Sequence, residues 1–220
     1  MAGIVQTPLM LTLLGGGPTH FRHLNQSLKR APILVCADGG ADVALSQGLT
    51  PAAVIGDLDS LSAEGRAAIP AENLHHIAEQ DSTDFEKCLR SVEARAILAH
   101  GFLGGRLDHQ LAALSALARF PEQRCVLIGA EDICFLAPPT IDLDLPRGTR
   151  LSLYPLAPVT GRSDGLEYPI EGLEFAPGSQ IGTSNTSIGP VRLRFDAPAM
   201  LVIVPVAQLS AVLGGLVRDH

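Results

Sequence analysis

The sequence lacks several residue types, and each absence narrows what the protein can be. It has no tryptophan, and Lys29 and Lys87 are the only lysines among 16 basic residues. The formal net charge is −7 and the basic residues do not cluster, which argues against a nucleic-acid-binding surface. No apolar run reaches membrane-spanning length, and no basic region precedes the first apolar residues. We therefore expect a cytoplasmic protein that binds neither nucleic acid nor membrane.

Cysteine is scarce, and its spacing excludes the common redox and zinc motifs. The four cysteines form no CxxC pair and lie in mostly apolar segments; they are Cys36, Cys88, Cys125 and Cys134. This placement predicts buried free thiols in a reducing compartment rather than disulfides.

Four well-known sequence motifs are also missing. No GxxxxGK[ST] run exists, which excludes a P-loop NTPase, and no GxSxG marks a serine hydrolase. The segment 15–20 lacks the final glycine of a dinucleotide fingerprint. An EF-hand that starts at Asp57 fails because Ala68 stands where the twelfth-position glutamate belongs.

The first part of the chain alternates apolar strand-like runs with helical periodicity. The predicted strands are 10–14, 33–37, 52–55, 73–77, 96–99, 124–128 and 133–136. Thr83 and Glu86 have capping-box spacing at the start of one helix, and Asp108 can cap another that turns Leu111 and Leu117 inward. The alternation predicts an α/β class with a mostly parallel α/β sandwich domain over residues 1–137.

The character of the sequence changes near residue 138. From there to residue 220 glycine and proline are frequent, and helical periodicity is hard to find. Short strand-like pieces recur instead, at 150–154, 172–175, 191–195 and 200–204. This pattern predicts a smaller antiparallel β-sandwich domain over residues 138–220.

Aspartates follow four of the predicted strands of the first domain. Asp57 and Asp59 follow one strand, and the other loops carry Asp38, the pair Asp81 and Asp84, and Asp108. Parallel strands place their carboxyl ends at one sheet edge, so these groups can converge. Converging carboxylates resist joint ionisation unless a cation joins them, which favours Mg²⁺ with a polyphosphate. The alternative is that these residues are helix caps or turn formers.

Glycine pairs and triplets fall in the same loops, at 15–17, 39–40 and 104–105. Backbone without side chains lets N–H groups approach a phosphate closely, although glycine also serves ordinary turns. The combination favours a nucleotide site.

Five segments, in this order, resemble the thiamin pyrophosphokinase family: CADGGA at 36–41, GDLDS at 56–60, QDSTDFEKCL at 80–89, GGRLDH at 104–109 and GTSN at 182–185. The resemblance implies an α/β nucleotide-binding catalytic domain, a thiamin-binding β-sandwich and a homodimer with thiamin near the subunit interface. It also implies Mg²⁺-dependent transfer of a pyrophosphoryl group from ATP to the thiamin hydroxyl, which releases AMP.

The resemblance also implies roles for individual residues. The metal ligands would be Asp57, Asp59 and Asp84, and the catalytic group would be these three with Asp81 and Asp108. The ATP side would comprise Asp38, Gly39, Gly40, Gly104, Gly105, Arg106 and His109. The thiamin side would comprise Gln80, Thr183, Ser184 and Asn185. Either Asp81 or Asp108 is a candidate acceptor of the hydroxyl proton.

One departure concerns the aromatic residue, often tryptophan, that stacks on thiamin in some family members. This chain has no tryptophan, and the substitutes are Phe175, Tyr168 and Phe195.

The alternative functions are a diphosphokinase for another heterocyclic alcohol, such as a hydroxymethylpterin, and a non-catalytic module that senses Mg–ATP. A DxD glycosyltransferase is a more distant alternative.

Overall fold

A computed structural model describes residues 3–217. The strands are β1 (Val5–Gln6), β2 (Leu11–Leu14), β3 (Ile33–Ala37), β4 (Ala53–Gly56), β5 (Leu74–His76), β6 (Val92–Glu93), β7 (Ile97–His100), β8 (Cys125–Ile128), β9 (Asp132–Leu136), β10 (Thr140–Leu143), β11 (Arg150–Pro155), β12 (Val159–Leu166), β13 (Glu174–Phe175), β14 (Gly182–Phe195) and β15 (Met200–Pro205). The helices are α1 (Phe21–Arg30), α2 (Gly40–Ser46), α3 (Ala63–Ala68), α4 (Asp84–Ser91), α5 (Leu107–Arg119) and α6 (Leu209–Leu216). Within residues 3–217, none of the helices has the length and apolar character that a bilayer crossing requires.

The chain divides into two compact units. The first contains the described residues up to 116 together with 127–130, and the second contains 117–126 and the described residues from 131 onward. The predicted boundary after residue 137 stays a prediction. Strand β9, which was expected in the first domain, lies in the second unit and pairs antiparallel with β15. The paired residues of β9 and β15 are about seventy positions apart, so local sequence could not reveal the pairing.

The first unit is built on a parallel sheet in the order β7-β2-β3-β4-β5. Strands β2 and β4 are buried at every position, which is why they read as continuous apolar runs rather than as alternating patterns. The parallel register places the carboxyl ends of these strands at one edge. The predicted mixed α/β class is therefore confirmed.

Helix α4 begins as predicted. The side chain of Thr83 accepts the Glu86 amide at 3.3 Å, and the Glu86 carboxylate accepts the Thr83 amide at 3.0 Å. This reciprocal capping box fixes the first turn of α4 and the direction in which Asp84 leaves it.

The second unit consists mainly of antiparallel strands. The 14-residue strand β14 pairs with β11 over its first part, with β10 over its last part, and with β12. Strand β12 and the first part of β14 were not predicted. Helical periodicity was hard to find in this part of the sequence, yet α6 covers Leu209–Leu216. Two glycines and an almost wholly apolar composition conceal the periodicity of α6.

The prediction for α5 was also wrong in part. Asp108 lies within the first turn of α5 instead of capping it. Leu117 is buried as expected, but Leu111 is 54% exposed. The regular spacing of leucines predicted the helix correctly, but it did not predict which side of the helix faces the core.

The four cysteines are free and buried, which confirms the predicted thiols. Burial raises the pKa of the Cys134 thiol to about 12, and it raises the pKa values of the other three above their ordinary value. Such thiols react poorly and serve as small apolar core residues.

The neighbouring glycines of α6 should respond oppositely to alanine. A Cβ at Gly215 would lie 2.6 Å from the backbone oxygen of Asp142, whereas one at Gly214 meets no atom within 4 Å. We expect Gly215→Ala to lower the free energy of unfolding by about 1–3 kcal/mol through overpacking. Gly214→Ala should raise it by about 0.5–1 kcal/mol through helix propensity. Urea titrations of both variants measure this, and equal effects would contradict the packing of α6 on β10.

Candidate active site

The candidate active site is a cleft of about 820 Å³ in the first unit. It lies where the parallel strands end: β2 leads into the glycines 15–17, β3 into Asp38, β4 into Asp57, and β7 into Gly101 and Phe102. The parallel sheet thus gathers loops that are far apart in sequence.

A cluster of three carboxylates occupies this cleft. Asp38, Asp57 and Asp59 each offer a ligand oxygen, and these oxygens lie within 4.8 Å of one another. Asp38 is buried; its Oδ2 accepts the Ser60 amide at 3.0 Å, while its Oδ1 has no hydrogen-bond partner among residues 3–217. A buried carboxylate oxygen without a partner is costly. The donor set therefore fits an oxygen-preferring divalent cation such as Mg²⁺.

The backbone between the paired carboxylates is held in an unusual conformation. Leu58 has a φ of +61°, and its side chain is buried in the core. The Arg66 guanidinium donates to the Leu58 carbonyl at 2.9 Å. Left-handed backbone at a bulky residue persists only where surrounding contacts enforce it. Arg66 and the core thus fix the positions of Asp57 and Asp59.

Gly56 precedes this turn because nothing larger fits. A Cβ there would lie 2.9 Å from both the Asp38 Cβ and the Asp84 Oδ1. The absence of a side chain lets the loops after β3 and β4 and the start of α4 approach one another.

Asp84 lies in the first turn of α4 and lines the same cleft. Its Oδ1 accepts from the Lys87 ammonium at 3.0 Å, and that ammonium lies 3.5 Å from the Asp57 Oδ2. Asp84 is therefore tied to Asp57 through a buried lysine. The sequence prediction of Asp84 as a metal ligand stays a prediction.

Hydrogen bonds separate the pKa values of the neighbouring carboxyls. Burial raises the pKa of Asp38 and the charge of Asp84 adds to this, although the Ser60 amide opposes both. Partial burial also acts to raise the pKa of Asp57, but bonds from Gln80 and the Asp59 amide and the charge of Lys87 outweigh it. The pKa of Asp57 is therefore lower than usual, and Asp57 is the readier anion.

Gln80 was predicted to face thiamin, and that role stays a prediction. In the structure its side-chain amide donates to the Asp57 Oδ2 at 3.0 Å. Gln80 and Ser82 line the cleft, whereas Asp81 is exposed and is not among the described cleft residues.

The glycines differ in what requires them. A Cβ at Gly40 would lie 2.1 Å from the Leu14 backbone oxygen, and one at Gly17 would lie 2.5 Å from the Gly101 oxygen. Close packing of backbone therefore accounts for both. Gly39 and Gly105 line the cleft, and Gly104 does not belong to its described lining.

Arg106 and His109 line the cleft, and their predicted ATP-binding role stays a prediction. Asp108 is not among the described lining residues and forms an exposed ion pair with Arg106. The Asp108 carboxylate accepts from Arg106 at 2.6 Å. This bond and charge hold the pKa of Asp108 at about 2. The five predicted catalytic aspartates are thus not all brought together.

The predicted thiamin segment lies on β14 in the second unit. Thr183 and Ser184 are exposed, and Ser184 has a φ of +62°. Asn185 is buried, and its side-chain amide bonds both the amide and the carbonyl of Tyr168, at 3.1 and 2.7 Å. The Asn185 side chain therefore orders the neighbouring loop.

Sequence reasoning missed three side chains of the site. Lys87 lies inside the QDSTDFEKCL segment but was given no role, and Arg66 lies in none of the five segments. A lone basic residue on a helix is usually solvated. Phe102 lines the cleft and contacts the Phe85 ring, with ring centroids 4.4 Å apart. It follows a glycine in a loop, where periodicity carries no information.

Comparison with known proteins gives consistent matches. The family model described as thiamin pyrophosphokinase, catalytic domain, matches residues 24–128. The chain is 30% identical over 195 residues to thiamin pyrophosphokinase 1 of Caenorhabditis elegans, a match that covers 78% of this chain and 79% of the relative. It is 28% identical over 204 residues to thiamine pyrophosphokinase 1 of Arabidopsis thaliana, covering 74% and 76%.

Solved structures share the fold. Thiamin pyrophosphokinase from Geobacillus thermodenitrificans aligns with a TM-score of 0.75 at 24% identity, covering 92% of this chain and 100% of that one. The enzyme from Candida albicans aligns with a TM-score of 0.75 at 17% identity, covering 89% of each chain.

Removal of either paired carboxylate should weaken cation binding. We expect Asp57→Asn and Asp59→Asn each to weaken Mn²⁺ binding by about 10-fold or more, since each loses a charged oxygen ligand. Mn²⁺ titrations followed by electron paramagnetic resonance measure the effect. Asp144→Asn, an exposed aspartate of the second unit, is the control. Unchanged affinity in both site variants would contradict a metal site at this turn.

Proposed function

The chain belongs to the thiamin pyrophosphokinase family, and from this membership we propose that it transfers a pyrophosphoryl group from ATP to the hydroxyl of thiamin. The products are thiamin diphosphate and AMP. The observation that carries the proposal is the acidic cluster of Asp38, Asp57 and Asp59 in a cleft at the ends of parallel strands. A polyphosphate with its divalent cation suits such a site better than an uncharged ligand does.

We assign nucleotide binding and catalysis to the first unit and thiamin binding to the second. Asp57, Asp59 and the orphaned oxygen of Asp38 would hold the divalent cation, with Asp84 beside them. When bound, the cation neutralises charge on the phosphates of ATP. Arg106 and His109 line the same cleft and can donate to phosphate oxygens.

The transfer itself requires alignment more than a strong base. The thiamin hydroxyl oxygen forms a bond to the β-phosphorus, the bond from that phosphorus to the bridging α–β oxygen breaks, and AMP leaves with the electron pair. The hydroxyl proton passes to solvent or to a carboxylate of the cleft. A loose transition state makes this proton transfer undemanding. Asp108, with a pKa near 2, is a poor proton acceptor while Arg106 pairs with it.

The second unit favours one aromatic residue for stacking on thiamin. Phe175 and Phe195 are 1% and 6% exposed, whereas Tyr168 is 63% exposed. Asn185 holds the Tyr168 backbone from both sides, next to the exposed Ser184. We therefore assign the stacking role to Tyr168 and polar contacts to Thr183 and Ser184. The homodimer and the cytoplasmic location stay predictions.

Incubation of the protein with ATP, Mg²⁺ and thiamin should yield AMP and thiamin diphosphate in equal amounts, measured by chromatography. AMP formation that requires a pterin alcohol instead would select a different acceptor. Mg–ATP binding without any AMP, at every Mg²⁺ concentration, would indicate a sensor and contradict the proposed enzyme.

Loss of the Tyr168 ring should raise KM for thiamin. We expect Tyr168→Ala to raise it about 10-fold, since stacking on an aromatic ring contributes about 0.5–1.5 kcal/mol. KM for ATP should not change, and Tyr168→Phe should retain wild-type values. The control is Tyr154→Ala, which removes the only other tyrosine, a partly exposed residue of β11. Equal effects of both alanine variants would rule out a specific role for Tyr168.

A further inference from the structure

Lys87 is a fully buried lysine. The proposed transfer does not use its charge. Its side chain is 2% exposed and its ammonium lies 3.0 Å from the Asp84 Oδ1 and 3.5 Å from the Asp57 Oδ2. Lys29, the only other lysine of the chain, is exposed on α1. A lysine is almost never fully buried unless its charge is paired.

The position of Lys87 is set by the fold and not by its own charge. The capping box of Thr83 and Glu86 fixes the first turn of α4, and Phe85, Cys88 and Leu89 are buried around it. Lys87 must therefore direct its ammonium along the cleft side of the helix, where it meets Asp84 on the preceding turn and Asp57 from the loop after β4.

A fixed ammonium beside carboxylates has two opposing consequences for a cation. It holds the carboxylates in place, and it repels any second cation that those carboxylates attract. Buried charges repel strongly because little solvent screens them. A metal that enters the cluster of Asp38, Asp57 and Asp59 therefore meets an already partly neutralised site.

We propose that Lys87 is a built-in counter-cation: it positions Asp57 and Asp84 in the metal-free protein and keeps the affinity for a free divalent cation low. The added negative charge of a polyphosphate then offsets the ammonium, so the cation binds tightly only together with its nucleotide. This second consequence rests on the proposed function, whereas the first concerns the metal-free protein alone.

The test compares Mn²⁺ affinity in the absence of nucleotide, by electron paramagnetic resonance. We expect Lys87→Met, which keeps the length of the stem and removes the charge, to bind Mn²⁺ about 10-fold more tightly than the wild type. Lys87→Arg retains the charge and should bind as weakly as the wild type. Lys29→Met is the matched control and should not differ. Unchanged or weaker Mn²⁺ binding by Lys87→Met would overturn the proposal.

Thermal unfolding gives a second readout that a purely structural lysine would not produce. Without metal, Lys87→Met should melt below the wild type, because Asp57 and Asp84 lose their counter-charge. Added Mn²⁺ should raise its melting temperature by more than it raises that of the wild type. An equal or smaller rise would contradict the proposal. If Lys87→Met does not fold, Lys87→Gln replaces it, with the same expected outcomes.

The nucleotide-dependent consequence has its own measurement. With ATP present and thiamin absent, the difference in Mn²⁺ affinity between Lys87→Met and the wild type should shrink. A difference of the same size would overturn this part. Because no arm measures AMP or thiamin diphosphate, a protein that fails the transfer assay can still satisfy or fail these tests.

Discussion

Crowded negative charge is the constraint on which the site depends. The parallel sheet brings Asp38, Asp57 and Asp59 within ligand distance of one another, with Asp84 beside them. The chain offsets the repulsion unevenly. Asp57 accepts a hydrogen bond from Gln80 and lies beside the Lys87 ammonium, and its pKa is lower than usual. Asp38 is buried with one oxygen unpartnered among the described residues, and its pKa is raised. This residual deficit of positive charge is what a divalent cation can satisfy.

The same constraint explains why the loops around the cluster are tightly packed. Gly56 admits no side chain, and Leu58 stays in left-handed backbone because its side chain is buried and Arg66 holds its carbonyl. Strain of this kind tends to occur where function fixes the geometry, and the core that anchors Leu58 supplies the compensating contacts. Carboxylates on a flexible loop would instead separate and become solvated. Stability in this region and placement of charge therefore depend on the same contacts.

Sequence alone predicted what local patterns encode. Continuous apolar runs predicted the parallel strands, and the Thr83–Glu86 spacing predicted the start of α4. Aspartates directly after several of these strands predicted an acidic group at one edge of the sheet. It did not predict features set by distant partners. Strand β9 pairs with β15, and the ammonium of the buried Lys87 lies beside Asp57, a residue of the loop after β4. Asp108 lies in the GGRLDH segment and was predicted to be a site residue, yet it forms an exposed ion pair with the nearby Arg106. An ion pair depends on the positions of side chains in space, which the spacing of residues in the sequence does not reveal.

The distribution of charge also bears on how the transfer proceeds. A tuned general base needs a pKa near the working pH. Asp57 and Asp108 both have pKa values below the usual range, so neither is poised to hold a proton. Phosphoryl-type transfer with a loose transition state gains little from a strong base and much from fixed charges that neutralise oxygens. A cleft in which tightly packed turns hold one ammonium among carboxylates is suited to neutralising phosphate oxygens. The proposed transfer therefore depends more on the positions of fixed charges than on a general base.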